Sequence, residues 1–208
     1  MSVDIRIMEK PDWVSWEDIR QCLYDAHSVN RSKGIYMTKY LLPTEKIVEY
    51  IGSSGIMLVA LDGKKVVGTA AICERYGKKW YAKGRYAYLS FDSVLPMYKG
   101  QGIFREMERM REKIILSQNY SVILVDTHKK NKRRIKTAEL SGYHIVSCTY
   151  SNIIFAKWLA SCPYSKFYCK FRFCISWVWA RLRFVLSVVK RRVVNKIYSN
   201  TRYAERIS

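Results

Sequence analysis

Residues 85–118 place a strand, a proline, two close glycines and an amphipathic helix in immediate succession, and this order limits the folds open to the chain. Residues 86–95 alternate and then run apolar, as strands do, and Pro96 ends the strand. Beyond Gly100 and Gly102, apolar residues recur three or four positions apart, as on one face of a helix: Ile103, Met107, Met110, Ile114 and Ile115. A strand that feeds a helix through Gly-x-Gly leaves unpaired N–H groups at the helix N-terminus. The pattern therefore predicts an anion site, and phosphate is the usual anion.

The segment VLPMYKGQGIF, from Val94 to Phe104, resembles the acyl-CoA loop of the GNAT superfamily of N-acyltransferases. The signature of that loop is Gln/Arg-x-x-Gly-x-Gly/Ala after a strand that ends in Val-x-Pro. Gly100 and Gly102 match it, while Met97 stands at its Gln/Arg position, which removes one side chain and none of the backbone donors. The segment is neither a Walker loop nor a dinucleotide-binding Gly-x-Gly-x-x-Gly motif.

The predicted secondary structure follows the element order of the same superfamily. A strand and two helices come first, then three antiparallel strands, the glycine loop with its helix, a strand, a helix and a terminal hairpin. Apart from the glycine-loop helix, the predicted bounds are 3–7, 16–28, 44–51, 56–61, 66–73, 85–95, 122–127, 131–141, 143–150 and 152–158. A loop is expected over residues 76–84. The resemblance implies an α/β fold, with a mixed, mostly antiparallel sheet whose central strands splay apart, flanked by helices.

Charge divides the chain into two parts. The net charge is +20, of which residues 129–208 carry +16 and residues 1–128 carry +4. Since the resemblance covers about residues 3–158, we expect a GNAT-like domain over residues 1–160 and a basic, aromatic-rich tail over 161–208. No run approaches the roughly 18 uncharged apolar residues that a membrane-spanning helix requires.

The tail alternates aromatic residues with arginine and contains a single acidic residue, Glu205. On a helix, a narrow stripe of basic residues and serines would oppose a wide apolar face, which is typical of helices that lie in a membrane interface. Residues 166–198 are therefore predicted to bind an anionic membrane surface. Packing on the domain or on a second copy in a homodimer is an alternative. Basic stretches at 128–134 and 190–192 raise nucleic acid as a third partner, but so wide an apolar face suits lipid better.

Six cysteines, at positions 22, 73, 148, 162, 169 and 174, lack the spacing of zinc sites, and no signal peptide is predicted. We therefore expect reduced, buried thiols and no metal. The expected location is the cytoplasm, with peripheral attachment to the inner face of the cell membrane.

The resemblance implies acetyl-CoA, or another acyl-CoA, as co-substrate, with its pantetheine arm between the splayed strands. Backbone groups of Ser93 and Val94 would contact that arm. The pyrophosphate would be bound by N–H groups of the glycine loop: Lys99, Gly100, Gln101, Gly102, Ile103 and Phe104. The side chain of Lys99 would add a charge to a phosphate or remain solvated. Asn131 opens a second GNAT motif, and it would bind the cofactor or cap its own helix.

Two ionisable residues are the catalytic candidates, because amine acylation needs a proton acceptor. Asp92 lies on the same strand face as Val94, and an isolated carboxylate in an apolar strand is costly unless it is paired or functional. His128 follows the partner strand, and an imidazole ordinarily titrates near neutral pH. It is alternatively a turn or core residue.

The second motif departs from the GNAT pattern Asn-x-x-Ala-x-x-x-Tyr-x-x-x-Gly-Phe in its central residues. Arg134 stands at the Ala position and Ala138 at the Tyr position, whose side chain is often the general acid in this superfamily. The acid would then come from Tyr143, Tyr150 or water.

The predicted function is acyl transfer, acetyl by default, from acyl-CoA to an amine. The acceptor would be a small molecule, an amino sugar or a lipid-linked precursor at the cytoplasmic membrane face, and an acyl carrier protein remains open as donor. The alternative is a non-catalytic GNAT-like module that binds membrane or a partner protein, which Met97 and Ala138 support.

Overall fold

The computed structural model of this chain describes residues 4–32, 34, 41–79, 81–149 and 151–159. The tail predicted over 161–208, with its membrane segment 166–198, lies outside these residues, and so does Tyr150. The described part is a mixed α/β fold in which helices flank a seven-stranded, mostly antiparallel sheet. This architecture confirms the predicted fold class.

The strands and helices follow the predicted order, except that the short helix Ser28–Ser32, which was not predicted, stands between the first two predicted helices. Their bounds are β1 Ile5–Glu9, α1 Trp16–Ala26, α2 Ser28–Ser32, α3 Thr44–Ile51, β2 Ile56–Asp62, β3 Lys65–Lys79, β4 Ala82–Val94, α4 Ile103–Ser117, β5 Val122–His128, α5 Lys132–Leu140, β6 His144–Cys148 and β7 Asn152–Trp158. A 3₁₀ turn, Pro96–Tyr98, stands between β4 and α4. Ser15 caps α1 as its sequence predicts, since its hydroxyl accepts from the Asp18 N–H at 3.1 Å while the Asp18 carboxylate accepts from the Ser15 N–H.

The strand order is β1-β2-β3-β4-β5-β7-β6. Every pairing is antiparallel except that of β4 with β5, which is parallel and covers three residue pairs, from Ala87↔Ile123 to Leu89↔Val125. Past Leu89 and Val125 the two central strands no longer pair, although β4 continues to Val94. The sheet therefore opens into a fork at its centre.

One predicted boundary is wrong. The loop expected over residues 76–84 is the end of a long hairpin, in which β3 and β4 stay paired as far as Lys79↔Ala82. Gly84 adopts a φ of +78°, and a Cβ added to Gly77 would lie 2.4 Å from the carbonyl oxygen of Ala82. These glycines therefore serve a paired ladder with a close backbone approach, where the sequence suggested a turn.

Successive side chains of β2 point to opposite faces of the sheet and pack into a different core on each face. Met57, Val59 and Leu61 pack with residues of α1 and α3 on one face. Leu58 and Ala60 pack with α4 on the other face. A third core joins α4 and α5 to β4, β5 and β7: Ala87, Leu89, Ile115, Ile123, Val125, Ala138, Tyr143 and Phe155. Helices thus pack on both faces of β4, and α4 and α5 pack on one face of β5.

Among the described helices, none is long and apolar enough to cross a membrane. The three described cysteines are free thiols. Cys22 and Cys73 are buried, as predicted, whereas Cys148 is exposed.

Candidate active site

A β-bulge in β4 marks the point at which the fork opens. Thr69 and Ala71 of β3 pair with Ser93 and Ser90, so one extra residue is inserted on β4. Phe91, inside this bulge, adopts a φ of +56°, and its carbonyl oxygen accepts a hydrogen bond from the Thr69 hydroxyl at 2.7 Å. A bulge bends the strand that carries it, and here it turns β4 away from β5 directly after their last pair.

A buried chain of hydrogen bonds fixes the bulge to helix α1. Because the Thr69 hydroxyl donates to the Phe91 carbonyl, the Ser93 hydroxyl is the donor in its 2.7 Å contact with Thr69. The Cys22 thiol, 3.9 Å from the Ser93 oxygen, then donates to that oxygen. Burial raises the pKa of Cys22 to about 12, so the thiol keeps its proton.

The glycine loop presents free donors at the mouth of the fork. Gly100 and Gly102 adopt φ values of +90° and +81°, and Gly102 is the N-cap of α4. Within the described residues, the N–H groups of residues 100–105 donate no hydrogen bond, whereas that of Lys99 donates to Pro96 O at 3.3 Å. The Tyr98 hydroxyl donates to Asp62 at 2.7 Å and anchors the loop to the β2–β3 turn. The N-terminus of α4 is thus a preformed anion site.

A cleft of about 650 Å³ joins this anion site to the fork. Most of the residues predicted to bind the cofactor line it: Ser93, Val94, Lys99, Gly100, Gly102, Ile103, Phe104 and Asn131. Gln101 and His128 are not among the lining residues, whereas Asp92 is. Asn131 also caps α5, because its side-chain oxygen accepts from the Arg134 N–H at 3.2 Å. Both functions expected for Asn131 are therefore compatible with its position.

Four charged side chains, here called the charge cluster, lie between β4, α4 and α5: Asp92, Glu108, Arg111 and Arg134. Arg111, whose side chain is 1% exposed, forms an ion pair with one carboxylate oxygen of Asp92. Arg134 reaches the other oxygen at 3.2 Å and Glu108 at 2.8 Å. Burial alone would lower the pKa of Arg134, but the charges of Asp92 and Glu108 outweigh burial and raise this pKa. Both oxygens of Asp92 are therefore engaged by guanidinium groups, and its catalytic role stays a prediction.

Asp126 lines the cleft from β5, one residue past the last β4–β5 pair. Its carboxylate accepts from the Asn152 side-chain amide at 3.1 Å and from the Tyr88 hydroxyl. Burial and the charge of Asp126 raise the pKa of Tyr88, so this hydroxyl stays protonated. His128 lies two residues farther along β5 and hence on the same strand face. The carboxylate of Asp126 is thus held in the fork by neutral donors.

His27, the C-cap of α1, lines the cleft beside the backbone of Asp92. Its Nε2 lies 3.2 Å from the Asp92 carbonyl oxygen, and its Nδ1 lies 2.9 Å from the Asn30 amide nitrogen. Burial lowers the pKa of His27 to about 4, so the ring is neutral near pH 7. The carbonyl can only accept, so Nε2 carries the proton and Nδ1 accepts from Asn30. The sequence prediction missed His27, because nothing local connects residue 27 with residue 92.

A family model described as the acetyltransferase (GNAT) family matches residues 15–143. The chain belongs to the GNAT acetyltransferase family. This confirms the resemblance predicted from the glycine loop and the element order, and it makes the protein an acetyltransferase. The matched range holds the fork, the loop and the whole charge cluster.

Solved structures support this GNAT fold at low sequence identity. An acetyltransferase from Streptococcus agalactiae is 20% identical with a TM-score of 0.59, and the match covers 74% of this chain and 98% of that one. The PaiA N-acetyltransferase from Thermoplasma acidophilum, in complex with coenzyme A, is 19% identical with a TM-score of 0.57, and the match covers 75% of this chain and 99% of that one. The ribosomal-protein-S18-alanine N-acetyltransferase from Escherichia coli is 13% identical with a TM-score of 0.54, and the match covers 78% of this chain and 97% of that one. No curated protein sequence matches the chain.

The structure shows what replaces two side chains of the GNAT motif. Ala138, at the position of the usual tyrosine, is 2% exposed and packs in the core with Tyr143. Burial raises the pKa of Tyr143, which itself is 5% exposed. Arg134, at the position of the usual alanine, contributes its guanidinium to the charge cluster. An ionic side chain thus stands on α5 where the motif has alanine.

We expect Asp92→Asn to lower the free energy of unfolding by about 3–5 kcal/mol, because the buried charge of Arg111 then keeps only the more distant carboxylate of Glu108, at 4.0 Å. Adding Arg111→Met should recover most of this loss, since the unpaired charge is then gone. Urea unfolding of the full-length variants measures both effects. An Asp92→Asn variant as stable as the wild type but inactive would instead favour Asp92 as a catalytic base.

Proposed function

We propose that this GNAT protein transfers an acyl group, acetyl by default, from acyl-CoA to the amine of a small-molecule acceptor. The main support for this proposal is the cleft, which leads from the free N–H donors at the N-terminus of α4 into the fork. An anion site that opens into a gap between two strands suits a ligand with phosphates at one end and an extended arm at the other. The PaiA structure, which holds coenzyme A in a similar fold, supports this choice of donor.

The proposed reaction requires positioned groups rather than a covalent intermediate. The amine nitrogen attacks the thioester carbonyl carbon, a C–N bond forms, and the C–S bond breaks. CoA leaves as a thiolate and takes up a proton, while a base accepts the proton that the amine loses. Near the mouth of the cleft, Lys99, Arg105 and Arg133 would complement the phosphates.

Three residues are candidates for the base. Asp92 and His128 are predicted from the sequence, and Asp126 is added by its position in the fork. The oxygens of Asp92 are bound by two guanidinium groups, and His128 is not among the residues that line the cleft. Asp126 lines the cleft past the last β4–β5 pair, and its carboxylate accepts from the Asn152 amide and the Tyr88 hydroxyl. This position in the fork favours Asp126 for binding and deprotonating an ammonium acceptor.

If Asp126 is the base, Asp126→Asn should lower kcat/KM by roughly 10²–10⁴ and leave the affinity for CoA unchanged. A screen of amines, with release of the CoA thiol as the signal, identifies an acceptor for this assay. His128→Ala and Asp92→Asn, measured alongside, test the other two candidates. Normal rates for Asp126→Asn would exclude it, and normal rates for all three would mean that positioning suffices without a dedicated base.

Gly102→Ala should weaken CoA binding by about tenfold or more, since a side chain there enters the space of the anion site. A Cβ on Gly102 meets no protein atom within 4 Å, so the substitution does not collide with the fold. Gly142→Ala is the matched control: its φ of +79° carries similar strain, it also has open space, and it is not among the cleft residues. Calorimetry measures the affinity of both variants for CoA. Equal affinities would contradict the proposal that the glycine loop binds the phosphates of CoA.

We further propose that residues 166–198 attach the protein to an anionic membrane surface, so that the acceptor is an amino sugar or a lipid-linked amine at the cytoplasmic face. The support is sequence alone: basic residues oppose a wide apolar face with tryptophans, and this pattern suits a membrane interface. A homodimer contact through the same segment is the competing assignment.

Full-length protein should sediment with vesicles that contain anionic lipid, because each basic residue near such a surface contributes about 1 kcal/mol. Part of the binding should persist at about 0.5 M salt, where charges are screened and apolar contacts are not. The variant Lys190→Glu/Arg191→Glu/Arg192→Glu should bind less at low salt. If the protein stays in solution with every lipid mixture, the proposed membrane attachment is wrong. A changed sedimentation velocity of the variant would instead support a homodimer contact through residues 166–198.

A further inference from the structure

The charge cluster joins the two sides of the fork. Asp92 lies on β4 beyond its last pair with β5, and Arg134 lies on α5, the helix that follows β5. The guanidinium of Arg134 donates to Asp92 and also to Glu108 on α4. These three side chains, here called the ion bridge, all line the cleft. The wall of the fork that faces the helices therefore contains the ion bridge, next to the apolar side chains of Val94, Ile103 and Phe104.

The inner end of the fork is also closed. Leu89 and Val125 are paired there, so a ligand that enters from the glycine loop must stop at this pair. On the sheet face opposite α4, the ligand meets Asp126, which is held by Asn152. Polar or ionised groups thus border the inner end of the fork on both faces of the sheet.

A long apolar chain gains little where it meets the ion bridge. Methylene groups placed against a paired carboxylate and guanidinium would exclude water from the charges without offering hydrogen bonds in return. An acetyl group adds one methyl to the thioester carbonyl and requires little such contact. The walls of the fork therefore discriminate by the length of the acyl chain.

We infer that the ion bridge of Asp92, Arg134 and Glu108 restricts the donor to short acyl groups, with Arg134 as the specificity-determining residue. This inference rests on the proposed function, because it concerns the donor of that reaction. The GNAT motif carries alanine at the position of Arg134, so the restriction is a property of this chain. Replacing Arg134 and Glu108 with apolar residues should open the wall to longer chains, while the pair of Asp92 with Arg111 stays intact.

Calorimetry of the full-length protein with acetyl-CoA and octanoyl-CoA tests the inference without an acceptor. In the wild type, octanoyl-CoA should bind no tighter than acetyl-CoA. In Arg134→Ala/Glu108→Leu, the affinity for octanoyl-CoA should rise by about tenfold or more relative to acetyl-CoA, since a hydrophobic pocket rewards each added methylene. The matched control is Arg109→Ala/Glu106→Leu, which removes an exposed ion pair from α4, the helix of Glu108. It should leave the ratio of the two affinities, octanoyl-CoA to acetyl-CoA, unchanged.

Two results would overturn the inference and keep the proposed function. One is a wild type that binds octanoyl-CoA about tenfold tighter than acetyl-CoA, as an open apolar pocket would; this result needs no variant to fold. The other is a folded Arg134→Ala/Glu108→Leu variant with the wild-type ratio. If neither thioester nor free CoA binds to the wild type, the proposed function itself fails, and the inference falls with it.

Discussion

The buried guanidinium of Arg111 is the constraint on which the site depends. A charge that is 1% exposed in the core costs several kcal/mol unless it is paired, and its nearer partner here is Asp92, with Glu108 at 4.0 Å. This pair fixes β4 against α4 at the level of the fork. Arg134 then joins both Asp92 and Glu108, which brings α5 to the same place. Three separate elements are positioned by one set of charges, and together they form one wall of the cleft.

Asp92 is also held from the other face of the sheet. His27 donates to its carbonyl oxygen, while the adjoining bulge is tied to α1 through Ser93 and Thr69. The segment of β4 beyond the fork is therefore restrained through its side chain, its carbonyl and its neighbours. Past Leu89 this strand is paired with β3 alone, so these contacts add restraint on the side where β5 is absent. These contacts keep the fork open before any ligand arrives, so binding does not have to order it.

The sequence was sufficient for the features that depend on local patterns. The glycine loop and most of the element order were predicted from spacing and motif, and the parting of the central strands was implied by the resemblance to the GNAT superfamily. Arg111 was missed, although its spacing of four from Met107 and Ile115 puts it on the buried face of α4, because a charged residue is ordinarily assigned to the exposed face. The partners of Arg134 lie 42 and 26 residues away, so no local pattern could identify them.

The cleft has a gradient of charge that fits the two substrates of the proposed reaction. At its mouth, the N-terminus of α4 and the cations of Lys99, Arg105 and Arg133 suit phosphates. At the fork, the cleft is lined by the carboxylate of Asp126, which in the proposed reaction would meet an amine that arrives as a cation. Asp92 stands close by with its charge already matched by arginines, so it adds little net charge there. The carboxylates that line the cleft thus differ in their surroundings: Asp92 and Glu108 bind guanidinium groups in its wall, and Asp126, on the other face of the sheet, is the proposed contact of the acceptor.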